Sequence, residues 1–127
     1  MNDTELFALA RQAKENAYAP YSGFNVGAAI LAADGNVYSG CNVENSSYPC
    51  SACAEKGAVS AMIRGGSLKI TKIAVVGSGE DFCYPCGNCR QTIFEFSDEN
   101  TEIMVADSKG NQRTHKCAEL LKHGFRL

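Results

Sequence analysis

Ile70-Thr71-Lys72-Ile73-Ala74-Val75-Val76-Gly77 is rich in β-branched residues and bounded by polar ones, which predicts a strand. Helical patterns lie on either side of it. Ala52 to Ile63 reads as a helix closed by Gly65-Gly66, and Gly87 to Phe96 as another. Glu102 to Ala106 predicts a further strand ending near Lys109-Gly110, and Cys117 to Lys122 a short last helix stopped at Gly124. Upstream, the small apolar run Phe24 to Ala33, then Asp34-Gly35, then Val37-Tyr38-Ser39 predicts two strands around a turn. Asn2 with Glu5 three residues on resembles a capping box. Leu6, Leu9, Ala10, Ala13 and Ala17 then keep helical spacing until Pro20. Strands alternate with helices after the hairpin, so the expected class is α/β, with a sheet covered by helices on both faces.

The chain has 127 residues, 45% of them apolar, enough for one core and too few for two. It shows no repeat, low-complexity stretch or linker, so residues 1–127 are expected to form a single domain. Lys and Arg number 12 against 14 Asp and Glu, a net charge of −2 that gives no electrostatic case for holding a nucleic-acid backbone. A small, weakly charged substrate fits better. The start, Met1 to Glu5, lacks the basic flank and apolar stretch of a secretory signal, and no apolar run approaches bilayer length. A cytoplasmic protein without membrane contact is expected. Seven cysteines cannot all pair internally, and in a reducing compartment their clustering points to metal binding or catalysis.

Three features fall at helix starts or just ahead of one: Asn42-Val43-Glu44-Asn45, Cys53-Ala54-Glu55, and Pro85-Cys86-Gly87-Asn88-Cys89. Cys86 and Cys89 are three apart, so both sulfurs can face one point, and Pro85 suits a first turn. The positive end of each helix favours thiolate over thiol, the form that binds metal. Catalytic zinc takes three protein ligands and leaves the fourth position to water. Cys53, Cys86 and Cys89 supply three. Glu55 is too short and badly angled for a fourth ligand but near enough to exchange protons with that water.

The chain resembles the cytidine deaminase family. The likeness runs through Tyr18-Ala19-Pro20-Tyr21-Ser22, Phe24-Asn25-Val26-Gly27-Ala28-Ala29 and Gly40-Cys41-Asn42-Val43-Glu44-Asn45-Ser46-Ser47-Tyr48. It continues in both cysteine motifs with Arg90-Gln91, and in Glu119-Leu120-Leu121 with Phe125. A cysteine followed by Glu two residues on, with a later Pro-Cys-x-x-Cys, is a general mark of zinc deaminases. The resemblance implies a three-layer α-β-α sandwich with a mixed sheet of about five strands. It implies one zinc on Cys53, Cys86 and Cys89, with Glu55 carrying a proton from water to a ring nitrogen and then to the leaving amine. It puts Asn42 and Glu44 on the sugar hydroxyls, Phe24 against the nucleoside and the Ala54 backbone at the pyrimidine edge. It also implies a homotetramer with shared active sites, Phe125 reaching a neighbour's pocket. The reaction so implied turns cytidine or deoxycytidine into its uridine counterpart with loss of ammonia, a pyrimidine salvage step, and amine-substituted cytidines are conceivable substrates. Lys56 stands where the family has Arg, keeping the charge without the planar fork. Pro49-Cys50-Ser51-Ala52 replaces a segment usually free of Pro and Cys, and Lys122 replaces a frequent Pro.

Other readings of the same residues stay open at this point. Cys50-x-x-Cys53 with Cys86-x-x-Cys89 also spells a four-cysteine structural zinc site, in a module acting through protein contacts. It leaves Glu55, Asn42 and Glu44 without a task, and it needs the Cys50 sulfur, which the deaminase reading does not. A redox dithiol at Cys86 and Cys89 leaves Cys53 idle. Within the deaminases, free bases, nucleoside antibiotics or RNA are other substrate classes. Asn42 and Glu44 can instead cap a turn, and Phe24 and Phe125 can be ordinary apolar contacts. Cys41 and Cys117 read as small buried hydrophobes, His115 and His123 as surface residues, and Cys83 has no assigned role.

Overall fold

The computed structural model describes residues 1–127. In chain order the elements are α1 (Asp3–Lys14), β1 (Val26–Ala32), β2 (Val37–Cys41), α2 (Ala54–Arg64), β3 (Ile70–Gly77), α3 (Gly87–Glu95), β4 (Glu102–Ala106), β5 (Gln112–Lys116) and α4 (Cys117–Leu120), with a 3-10 turn at Tyr48–Cys50. The strands form one sheet in the order β2-β1-β3-β4-β5. Only β3 and β4 run parallel; the other neighbours are antiparallel. The mixed five-stranded α-β-α sandwich is therefore as expected.

Alternation along the strands explains the layering. Ala28, Ile30, Ile73, Val75, Ile103 and Val105 turn to one face and pack with Ala58, Val59 and Met62 of α2 and Ile93 of α3. Ala29, Ala74, Val76, Met104 and Ala106 turn to the other and meet Leu6, Phe7 and Ala10 of α1. The pairings Ala28–Val75, Ile30–Ile73 and Ile73–Ile103 keep like faces in register across the central strands.

Two glycines let helices press on strands. A Cβ on Gly27 would lie 1.9 Å from the Ala10 carbonyl oxygen and 2.6 Å from the Lys14 nitrogen. A Cβ on Gly40 would lie 2.5 Å from the Ala58 nitrogen and 2.6 Å from the Ala54 oxygen, so the end of β2 touches the first turns of α2 backbone to backbone. Gly27→Ala is expected to lower the unfolding free energy by about 1–3 kcal/mol, since no flexible side chain can yield there. Urea denaturation measures this, and an unchanged midpoint would contradict the contact.

The capping box of α1 forms: the Glu5 amide donates to Asn2 Oδ1 at 2.8 Å and the Asn2 amide to Glu5 Oε2 at 3.4 Å. The helix stops at Lys14, short of the spacing that continues to Ala17. There the chain is drawn off, because the Tyr18 amide donates to the Asn42 carbonyl at 3.0 Å and the Glu44 amide to the Tyr18 carbonyl at 2.8 Å. Strand β5 is absent from the sequence expectation by residues. Its sequence Gln-Arg-Thr-His-Lys has no apolar alternation, because it is an edge strand whose residues are mostly exposed.

Candidate metal centre and cleft

Cys53 and Cys86 are the N-cap residues of α2 and α3, both in extended conformation, and Cys89 lies in the first turn of α3. The three sulfurs lie within 4.8 Å of one another. Cys50 is exposed on the 3-10 turn and is outside this cluster. The four-cysteine reading is thereby removed, since its fourth sulfur does not converge.

The site owes its position to a small bridge of chain. Val43 pairs on one side with Tyr18 and on the other with Ala52, exchanging 2.9 Å hydrogen bonds with the latter in both directions. Ala52 therefore pairs outside α2, and the helix begins two residues later than the apolar pattern starts. The bridge sets Asn42 on the lining of the same cleft as Cys53, Ala54 and Glu55.

Of the three thiols only Cys86 is made more acidic at its helix end. Burial pushes Cys53 upward, though a hydrogen bond with Cys89 opposes it. Burial also pushes Cys89 far up, with the neighbouring Glu55 charge adding to it. Burial is the largest single influence on Cys86 as well, yet the amides of Cys89 and Asn88 and the thiols of Cys89 and Cys53 together hold it below the ordinary thiol range. Three sulfurs this close cannot all carry charge without a cation to offset them. A soft divalent ion such as zinc fits that donor set: three convergent sulfurs and an open cleft beside them.

Glu55 is 4% exposed, in the first turn of α2 and on the cleft wall with Val26, Asn42, Ala54 and Cys83. The cleft measures about 180 Å³. Burial raises the Glu55 carboxyl above its ordinary value, against a smaller pull from its own amide and the Cys89 thiol. Ala54 is fully buried at the first position of α2, where a backbone N–H has no partner within the helix. Cys83, unassigned from sequence, is a wall residue whose thiol burial pushes up to about 11.

Asn42 is half committed to the fold: its Oδ1 accepts from the Val26 amide at 2.9 Å, and its Nδ2 donates to the Phe24 carbonyl at 2.8 Å. One N–H of the amide remains to be offered. Glu44 accepts from the Tyr21 and Ser22 amides at 3.0 and 3.1 Å and from the Ser22 hydroxyl. The Ser22 hydroxyl first, then the two amides, keep its carboxyl below the ordinary range and ionised. It lines a second hollow of about 420 Å³ with Tyr21, Ser22, Tyr48 and Ser51.

Phe24 is not on the cysteine cleft's wall; its partly exposed ring lies over Gly77 and Gly79. Phe125 is 66% exposed, its carbonyl taking a 3.1 Å bond from Gln91 Nε2, and it does not line its own chain's cleft. Cys117 is buried as expected, whereas Cys41 is only half-buried. His123 is exposed. His115 is half-buried and bonded to Tyr84, so the surface expectation fails for it.

Scaffold and site together place the chain among α/β proteins built around a three-cysteine metal centre. Residues 1–106 match the family described as cytidine and deoxycytidylate deaminase zinc-binding region, and the chain belongs to that family. It is 41% identical over 125 residues to a cytidine deaminase of Sporosarcina psychrophila, covering 98% of this chain and 92% of that protein. It is 46% identical over 118 residues to a cytidine deaminase of Mycobacterium tuberculosis, covering 93% and 85%. The crystal structure of cytidine deaminase from Burkholderia pseudomallei superposes with a TM-score of 0.93 at 39% identity, covering 98% of this chain and 100% of that one.

Proposed function

We propose that this protein is a zinc-dependent cytidine deaminase, adding water to cytidine or deoxycytidine and releasing ammonia to leave the uridine counterpart. The observation that carries the reading is Glu55, a buried carboxyl with a raised pKa on a cleft wall beside three convergent sulfurs. Cys53, Cys86 and Cys89 would hold zinc, and its chemistry there would be that of a Lewis acid toward water. Glu55 takes one proton from the attacking water and delivers it to the ring nitrogen, then takes the second from the added hydroxyl and delivers it to the departing amine as the carbonyl forms. A raised pKa suits a group that must gain and lose a proton in one cycle. The Ala54 N–H meets the pyrimidine edge. The spare N–H of Asn42 donates to one sugar hydroxyl, and the ionised Glu44 accepts from the other. The Phe24 ring flanks the nucleoside.

We further infer a homotetramer with shared active sites, in which the exposed Phe125 of one subunit closes a neighbour's cleft, and a role in pyrimidine salvage in the cytoplasm. No helix is long and apolar enough to cross a membrane. The balance of 12 basic and 14 acidic residues favours a free nucleoside over a polymer.

One ultraviolet assay comparing cytidine, deoxycytidine, cytosine and an amine-substituted cytidine, with zinc counted per chain, tests the reading. Cytidine and deoxycytidine are expected to turn over and cytosine poorly. Glu44→Gln should cut kcat/KM for cytidine about tenfold or more, and leave cytosine unaffected, because it removes a charged acceptor for the sugar. Equal turnover of cytosine and cytidine would refute the sugar contacts.

A further inference from the structure

Tyr84 connects the cysteine cleft to the far edge of the sheet. It is on the cleft's lining, and its hydroxyl lies 2.9 Å from His115 Nε2 on β5, the two rings 5.4 Å apart and tilted by 55°. His115 in turn faces Glu119 on α4, Nδ1 to Oε2 at 3.6 Å. Glu119 is itself fixed, its other carboxylate oxygen accepting from the Lys116 amide at 3.2 Å. A carboxylate beside Nδ1 favours the tautomer with the proton there, which leaves Nε2 to accept from the Tyr84 hydroxyl.

The next residue has a tie of its own. The Pro85 carbonyl accepts from Arg90 Nε at 2.8 Å, and the same guanidinium donates to the Leu120 carbonyl at 3.1 Å. Both residues preceding Cys86 are thus tied to the β5–α4 segment, one through a hydroxyl and one through a guanidinium. They need to be. The chain between β3 and α3 has no regular structure and Cys86 at its end is exposed, so the sulfur is placed by the residues before it, the buried Pro85 and Tyr84, which packs against the core. Ligand geometry tolerates errors of only about 0.5 Å.

We propose that His115 is a positioning residue for the metal centre: acting through Tyr84, it fixes the loop that brings the Cys86 sulfur to Cys53 and Cys89. This rests on the cluster being the metal centre of the function proposed above. His115 and Glu119 both lie beyond residues 1–106, the extent of the match to the family's zinc-binding region.

The test uses the zinc-loaded full chain with Tyr84→Phe, His115→Ala and His115→Gln. Zinc release to excess chromophoric chelator is timed well below each variant's unfolding transition, and the thiolate-to-metal absorption is recorded after cobalt substitution. Tyr84→Phe, which removes one oxygen, and His115→Ala should release zinc about tenfold faster and shift the cobalt band, as loss of supports behind metal ligands generally does. His115→Gln, whose amide oxygen can accept the same hydroxyl, should recover much of the wild-type rate. If His115 serves only to pack the edge strand, the variants will melt earlier while release and spectrum stay at wild type, and the proposal is overturned. A wild-type chain that binds no zinc overturns the proposed function as well. Zinc on the wild type with unchanged release from Tyr84→Phe overturns this inference alone.

Discussion

Glu55→Ala is expected to keep one zinc per chain and to lose turnover by a factor of about 10²–10⁴. The two halves of that result have separate physical causes. The sulfurs come from the N-cap of α2 and from α3, and none needs the Glu55 side chain to reach the cluster. The carboxyl is the one carboxylic acid on the cleft wall, and burial raises its pKa, so no neighbour of like chemistry can substitute for it. Elemental analysis and a cytidine assay on the same sample read both halves. Near-normal turnover in the variant would end the proposed proton path.

Cys89→Ala should do the opposite, abolishing zinc binding and with it activity. Cys89 is fully buried in the first turn of α3, so the loss also opens a small cavity behind the centre. Two remaining sulfurs fall short of the three that a catalytic zinc site takes from protein. Cys50→Ala is the matched control: the same chemical change, three residues before Cys53, should leave zinc content and kcat unaltered, because Cys50 is exposed and outside the cluster. Loss of zinc from that variant would restore the four-sulfur structural reading.

Much of this was visible in the residues. β3 and β4 were found to the residue because their apolar, β-branched runs are flanked by polar chain, and the central strands are buried on both faces. The cysteine centre was legible because the Cys86–Cys89 spacing at a helix start leaves few geometries. The edge strand β5 was not. Its side chains answer to water rather than to a core, and the only local sign was the turn before it. There Asp107 Oδ1 accepts from the amides of Lys109 and Asn111, and Gly110 takes a φ of +86°. The early end of α1 and the late start of α2 share one cause that pattern reading cannot supply, the pairing of Val43 with Tyr18, far back in the chain, and with Ala52 across an irregular loop. The link from Tyr84 to His115 spans 31 residues, and nothing in either neighbourhood announces it.

The bare meeting of Gly40 with Ala54 and Ala58 has a further bearing on how this pocket can change. With no side chain between them, the strand end that carries Asn42 and the helix that carries Cys53 and Glu55 travel as one piece. The sugar contact proposed for Asn42 and the proton path proposed for Glu55 are thereby locked to a common ruler, and a new substrate preference cannot be obtained by sliding one past the other. Retuning must come from lining outside that joint, and there from Cys83, since Tyr84 is tied to His115 in the loop that carries Cys86.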